Sequence, residues 1–148
     1  MSIISLGRCA LFALFALPLV AASALADDGS DLTFQGDASF GGPHGGQSIQ
    51  VALIDTASGE VVGMESGEVS ADADPAFAFD FPGALQEGGS YEVHYWIDSN
   101  FGGGAVGSCD EMQNDHQWSV PIAADGGDVS HMETHDPSTL ASVCDTFE

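Results

Sequence analysis

The chain has 148 residues and carries 23 Asp and Glu against one basic residue, Arg8, for a formal net charge of −22 at pH 7. That balance excludes nucleic acid as a partner and disfavours anionic membrane surfaces, because both require Lys or Arg to meet phosphate. It also removes nearly all side-chain salt bridges and loads the folded state with self-repulsion, which salt, divalent cations or a cationic partner would relieve.

Residues 1–26 read as a signal peptide outside the fold. Arg8 supplies the positive end, Ala10 to Val20 an apolar run interrupted by Pro18, and Ala24-Leu25-Ala26 a small-x-small cleavage site. The run is too short for a spanning helix, and no other segment reads as one. Cys9 precedes the run, which argues against a lipid-anchored cysteine. The expectation is an exported protein, periplasmic or secreted, with Asp27 as its mature N-terminus and residues 27–148 as one domain. Arg8 leaves with the signal, so the domain holds no Lys or Arg.

Leu32, Phe34 and Phe40 suggest a first strand near 32–40, broken by Gly41-Gly42-Pro43-His44-Gly45-Gly46. Ser48 to Asp55 alternates cleanly, with Ile49, Val51 and Leu53 on one face. Thr56-Ala57-Ser58-Gly59 turns the chain into Glu60–Met64, predicting a hairpin. Ala76 to Phe81 places Phe77, Phe79 and Phe81 on one core face and is expected to end at Pro82.

Ser90–Asp98 is the strongest strand. Tyr91, Val93, Tyr95 and Ile97 face one way; Glu92, His94, Trp96 and Asp98 face the other. Residues 99–115 show no periodicity and form a long Gly-rich loop, a kind of segment that is often functional. His116 to Ile122 and Val129 to Thr134 complete the strands, and Ser138 to Val143 reads as one helical turn. Cys109 and Cys144 are expected to form a disulfide, since no Cys-x-x-Cys pair suggests a metal site.

The predicted class is all-β: a single antiparallel β-sandwich of about seven strands. Gln50–Val62, then Phe77 to Leu85, then Gly88–Val93 resembles immunoglobulin-like or transthyretin-like modules, which often show a Gly-turn hairpin, a Phe-rich strand and Gly-x-Tyr-x-Val. The resemblance covers residues 48–97 and implies a fold alone. The Cys–Trp–Cys order of immunoglobulin domains is absent.

Histidines carry the chemistry. In a domain without Lys or Arg they are the nitrogen side chains suited to copper or zinc. His131-Met132-Glu133-Thr134-His135 lets two imidazoles converge, with Glu133 on the same face if the segment is a strand. Gly42 to Gln47 resembles one truncated copy of the prion-protein copper octarepeat, which makes His44 a candidate. His94 and His116 lie on adjoining predicted strands and are placed near one end of the sheet. The candidate ligands are thus His131, His135, Glu133, His44, His116 and His94. The plain alternative for each is a solvated or hydrogen-bonded histidine.

Calcium ranks behind copper and zinc, because the acidic loops lack twelve-residue EF-hand spacing. Nothing marks an enzyme: there is no Gly-x-Ser-x-Gly, no phosphate loop and no basic oxyanion partner. Two readings remain, a metal-binding exported β-domain and a non-catalytic interaction or surface-assembly module that uses the 99–115 loop with Phe101.

Overall fold

The computed structural model describes residues 29–148, and the expected signal peptide lies outside them. The described chain folds into seven strands: β1 (Ser30–Gly36), β2 (Ser48–Asp55), β3 (Glu60–Glu68), β4 (Phe77–Leu85), β5 (Ser90–Ile97), β6 (His116–Ala123) and β7 (Val129–Glu133). A four-residue helical turn, α1 (Gly41–His44), joins β1 to β2. The strands form two sheets, β4-β1-β7 and β3-β2-β5-β6. No helix among the described residues is long and apolar enough to cross a membrane.

Period-two alternation builds the core. Leu32 and Phe34 of β1 and the Phe77, Phe79 and Phe81 rings of β4 pack against Ile49, Val51, Leu53, Tyr91, Val93, Tyr95, Trp118 and Ile122. Tyr91, Val93, Tyr95 and Ile97 are all buried, as their shared face predicts. Trp96, on the opposite face of β5, is also buried, with Phe147 of the tail 6.3 Å from its ring. β5 is therefore covered on both sides.

The structure departs from the predicted elements in instructive ways. The sandwich is not wholly antiparallel: β1 and β7 pair in parallel, Leu32 opposite Val129 and Phe34 opposite His131. A parallel pair needs a long connection, and nearly the whole domain separates these two strands. β4 continues through Pro82 to Leu85. It is an edge strand, where a missing N–H costs no ladder bond. β3 runs on to Glu68 with its side chains largely exposed, and β7 stops at Glu133. Phe40 is not on β1, because Asp37 accepts from the Ser39 N–H at 2.9 Å and turns the chain into a 3-10 turn. The tail forms two 3-10 turns, Pro137–Thr139 and Cys144–Thr146, in place of the expected turn over 138–143.

Cys109 and Cys144 form the disulfide, with Cα atoms 5.4 Å apart and a sequence separation of 35. Closing that loop contributes about 3–4 kcal/mol by the chain-entropy model. Buried Gln117 reinforces the same junction: its Oε1 accepts from the Val143 N–H at 2.9 Å and its Nε2 donates to the Asp110 carbonyl at 2.5 Å.

Candidate metal centre

Three of the five histidines meet at one point. The Nε2 of His44 lies 3.1 Å from the Nδ1 of His116 and 3.2 Å from the Nε2 of His135. One nitrogen from each ring lies within 4.8 Å of the other two. A metal bound at about 2.0–2.1 Å by two imidazoles at a tetrahedral angle holds their nitrogens about 3.3–3.4 Å apart. The observed spacings are close to that edge length.

Each ring comes from a different part of the chain. His44 ends α1, where the Gly45 N–H donates to the Gly41 carbonyl at 2.9 Å and the Gly46 N–H to the Val69 carbonyl at 2.7 Å. Glycine is needed here for closeness: a Cβ on Gly41 would stand 2.8 Å from the Ala71 carbonyl oxygen, and one on Gly45 2.6 Å from the Gly41 carbonyl oxygen. Gly41 and Gly45 thus pack closely on either side of His44, which is fully buried, while Gly42 and Pro43 between them are exposed. His116 opens β6 opposite Ile97. His135 lies just beyond β7, where its N–H donates to Ser39 Oγ at 2.9 Å.

Aromatic rings surround the trio. Phe40 is edge-on to His135 at 5.4 Å, and Trp118 lies 5.5 Å from His116, 5.9 Å from His135 and 6.2 Å from His44. Phe101, from the 99–115 loop, lies 5.6 Å from His44 and 5.0 Å from His116. The loop is fixed by Asp115, which is fully buried. Its carboxylate accepts the backbone N–H groups of Ser99 at 2.9 Å, Asn100 at 3.0 Å and Asp110 at 3.0 Å.

Hydrogen bonding sets the tautomer of His44. Gln47 Oε1 lies 2.7 Å from Nδ1 and only accepts. Ser99 Oγ lies 3.3 Å from the same nitrogen and donates its own proton to the Ile97 carbonyl at 2.9 Å, so it too accepts there. Nδ1 therefore carries the proton, and Nε2 presents its lone pair to the other two rings.

The site also keeps its imidazoles neutral. Burial pushes His44 down to about 4, and repulsion from His116 and His135 adds to it against the opposing Gln47 hydrogen bond. Burial, then His135, lowers His116 against the pull of Asp115. Burial lowers His135 against the pull of Asp136. Neutral imidazole is the metal-ligating form.

The remaining predicted ligands lie elsewhere. His131 stacks on Phe34 at 5.8 Å, and its Nε2 lies 2.5 Å from Glu133 Oε1. The expected convergence of His131 with His135 fails because β7 ends at Glu133, so alternation no longer governs residue 135. Glu133 pairs with His131 on the strand face as expected, but neither belongs to the three-histidine group. His94 pairs with Ser119, three positions along from the Ile97–His116 pair, so it is not a neighbour of His116. Its Nδ1 lies 2.7 Å from Thr146 Oγ1 and its Nε2 3.2 Å from Glu92 Oε2, which uses both nitrogens. The sequence offers Ser99 and Asp115 only as loop oxygen donors and Gln47 only as the end of the Gly42–Gln47 stretch; their roles in orienting His44 and fixing the loop come from the fold, and the one available signal was Gln47, three residues after His44.

No family model and no curated protein matches the chain. Among solved structures, a fimbrial assembly protein from Parabacteroides distasonis is similar with a TM-score of 0.38 and 8% identity, over 71% of this chain and 51% of that one. The chain thus spans about half the length of that protein.

Proposed function

We propose that this protein is an exported β-sandwich that binds a transition metal, copper or zinc, through His44, His116 and His135. The observation that carries the reading is the meeting of three imidazole nitrogens at 3.1 and 3.2 Å, with His44 Nε2 freed by its Gln47 bond. Imidazole suits both metals, and three neutral rings leave the full cation charge to be balanced by the surrounding carboxylates. The finer fold assignment is immunoglobulin-like or transthyretin-like: the Gly-turn hairpin, the Phe-rich strand and the Gly-x-Tyr-x-Val strand fall on β2–β3, β4 and β5. The disulfide supports an oxidising, exported setting. We read the role as binding rather than catalysis because the sequence carries no recognisable catalytic motif.

The test is a titration of untagged protein with Cu(II) and Zn(II), followed by metal analysis after desalting. One equivalent is retained by the native protein and lost in His44→Ala and His116→Ala, whereas His131→Ala and His94→Ala retain it. Equal uptake by all variants would reduce the binding to non-specific attraction by the acidic surface and defeat the reading.

A second reading rests on the 99–115 loop. Asp115 and the disulfide hold it in place, yet Phe101 is 54% and Val106 88% exposed, which suits an interaction or surface-assembly module. On that reading, trimming residues 102–107 abolishes partner binding while His44→Ala preserves it.

A further inference from the structure

We propose that the metal held by His44, His116 and His135 keeps one coordination position for an exogenous small ligand, water or a compact monoanion, and that Phe101 controls access to it. The proposal rests on the metal-binding reading and adds what the site would bind beyond the metal.

The donor count supports an open position. The group contains three ligating side chains among the described residues, and four-coordinate sites with three protein ligands complete their shell with water or substrate. Two of the three carboxylates beside the ligands have both oxygens occupied. Asp115, next to His116, spends Oδ1 on the Ser99 and Asn100 N–H groups and Oδ2 on the Asp110 N–H. Asp136, next to His135, accepts from the Ser138 N–H at 2.8 Å and from its hydroxyl at 2.6 Å, both through Oδ1, and does not belong to the three-histidine group. Asp37, at the base of the His135 segment, accepts from Ser39 and from Thr134 Oγ1 at 2.9 Å. Recruiting Asp115 or Asp37 would break a turn that positions a ligand.

The open side is set by burial. His44 is fully buried, and Phe40 and Trp118 close the site from the core. His116 and His135 remain partly exposed, and half-exposed Phe101 lies over His44 and His116. An outside ligand that enters beside His44 and His116 therefore passes the Phe101 ring. Charge narrows its class. Three neutral imidazoles leave the cation's charge uncompensated in the first shell, which favours an anion there. The carboxylate excess of the chain repels polyanions, so a small monoanion such as azide, or hydroxide formed from bound water, is the class that fits.

The test uses the full domain loaded with Co(II), whose visible absorption reports coordination, titrated with azide in the native protein, Phe101→Ala and Phe101→Trp. The expected result is one Co(II) bound by all three, an azide-dependent spectral change in the native protein, several-fold tighter azide binding in Phe101→Ala and weaker binding in Phe101→Trp. Stoichiometric Co(II) binding with no azide response in the native protein or Phe101→Ala would overturn the open position and leave the metal reading intact. Equal azide affinity in all three would overturn the role of Phe101. Failure of the native protein to bind Co(II), Cu(II) or Zn(II) would overturn both readings together.

Discussion

The Oε1 of Gln47 accepts a hydrogen bond from His44 Nδ1 at 2.7 Å, and this bond leaves His44 Nε2 as the atom that both His116 and His135 face. Outer partners of this kind fix ring orientation and raise ligand basicity, and their loss typically costs about 10–100-fold in metal affinity. Gln47→Leu is expected to weaken Zn(II) binding by that range, whereas His44→Ala abolishes it. A competition titration against a chromophoric chelator measures both. Because Gln47 touches no metal, an unchanged affinity in Gln47→Leu would show that Ser99 alone orients the ring.

The burial of the histidines sets a pH window for stability. His44 titrates at about 4 in the folded protein against an ordinary 6.5, so on acidification the unfolded chain takes the proton first. The metal-free domain is therefore fully stable with respect to this group above pH 6.5 and loses stability as pH falls from 6.5 towards 4. The slope from His44 alone is at most about 1.4 kcal/mol per pH unit. His116 and His135 shift in the same direction and steepen the loss. Urea unfolding of metal-free protein across this window checks the sign, and His44→Phe should flatten the curve.

Much of this architecture is visible in the sequence because a strand's period of two is a strong signal. β5 and the core faces of β2, β4 and β6 follow directly from alternation. The site is less visible because its ligands are not periodic. His44 and His135 lie just outside strands, and their meeting with His116 depends on the parallel β1–β7 pair and on turns set by Asp37 and Ser39. The His131–His135 spacing looks like a ligand pair, but β7 ends between its members. Pro82 reads as a terminator, yet it is compatible with an edge strand, and edge position is a property of the assembled sheet.

Tyr95 offers a change that should stabilise the protein. Its ring stacks on Trp118 at 4.9 Å and lies 5.3 Å from Phe34, but its buried hydroxyl has no partner among the described residues. Burial, with Glu133 nearby, pushes its ionisation well above the usual phenol range, so the hydroxyl stays neutral. An unsatisfied buried hydroxyl costs about 1–3 kcal/mol, and removing it while keeping the ring recovers part of that. Tyr95→Phe is expected to raise the urea midpoint by the equivalent of about 1 kcal/mol. A loss of stability would show that a bound water satisfies the hydroxyl.

Salt should stabilise the domain, and the rise should then level off. All 23 carboxylates lie in residues 27–148 without a Lys or Arg, so their long-range interactions are repulsive. Many also have a short-range structural role. Asp31 accepts from the Gly83 N–H, Asp55 from Ala57, Asp98 from Gly107, Asp110 from Ala105 and Asp128 from Asp31, so carboxylates cap backbone amides where other proteins use ion pairs. Repulsion between exposed charges is screened beyond about 8 Å at physiological ionic strength, whereas a cap at hydrogen-bonding distance is screened far less. The melting temperature is expected to rise by several degrees between low and moderate NaCl and then level off once the distant pairs are screened. A scan of melting temperature against NaCl in metal-free protein tests this. A melting temperature that falls from the first addition would mean that the caps, rather than the repulsion, dominate the electrostatics of the fold.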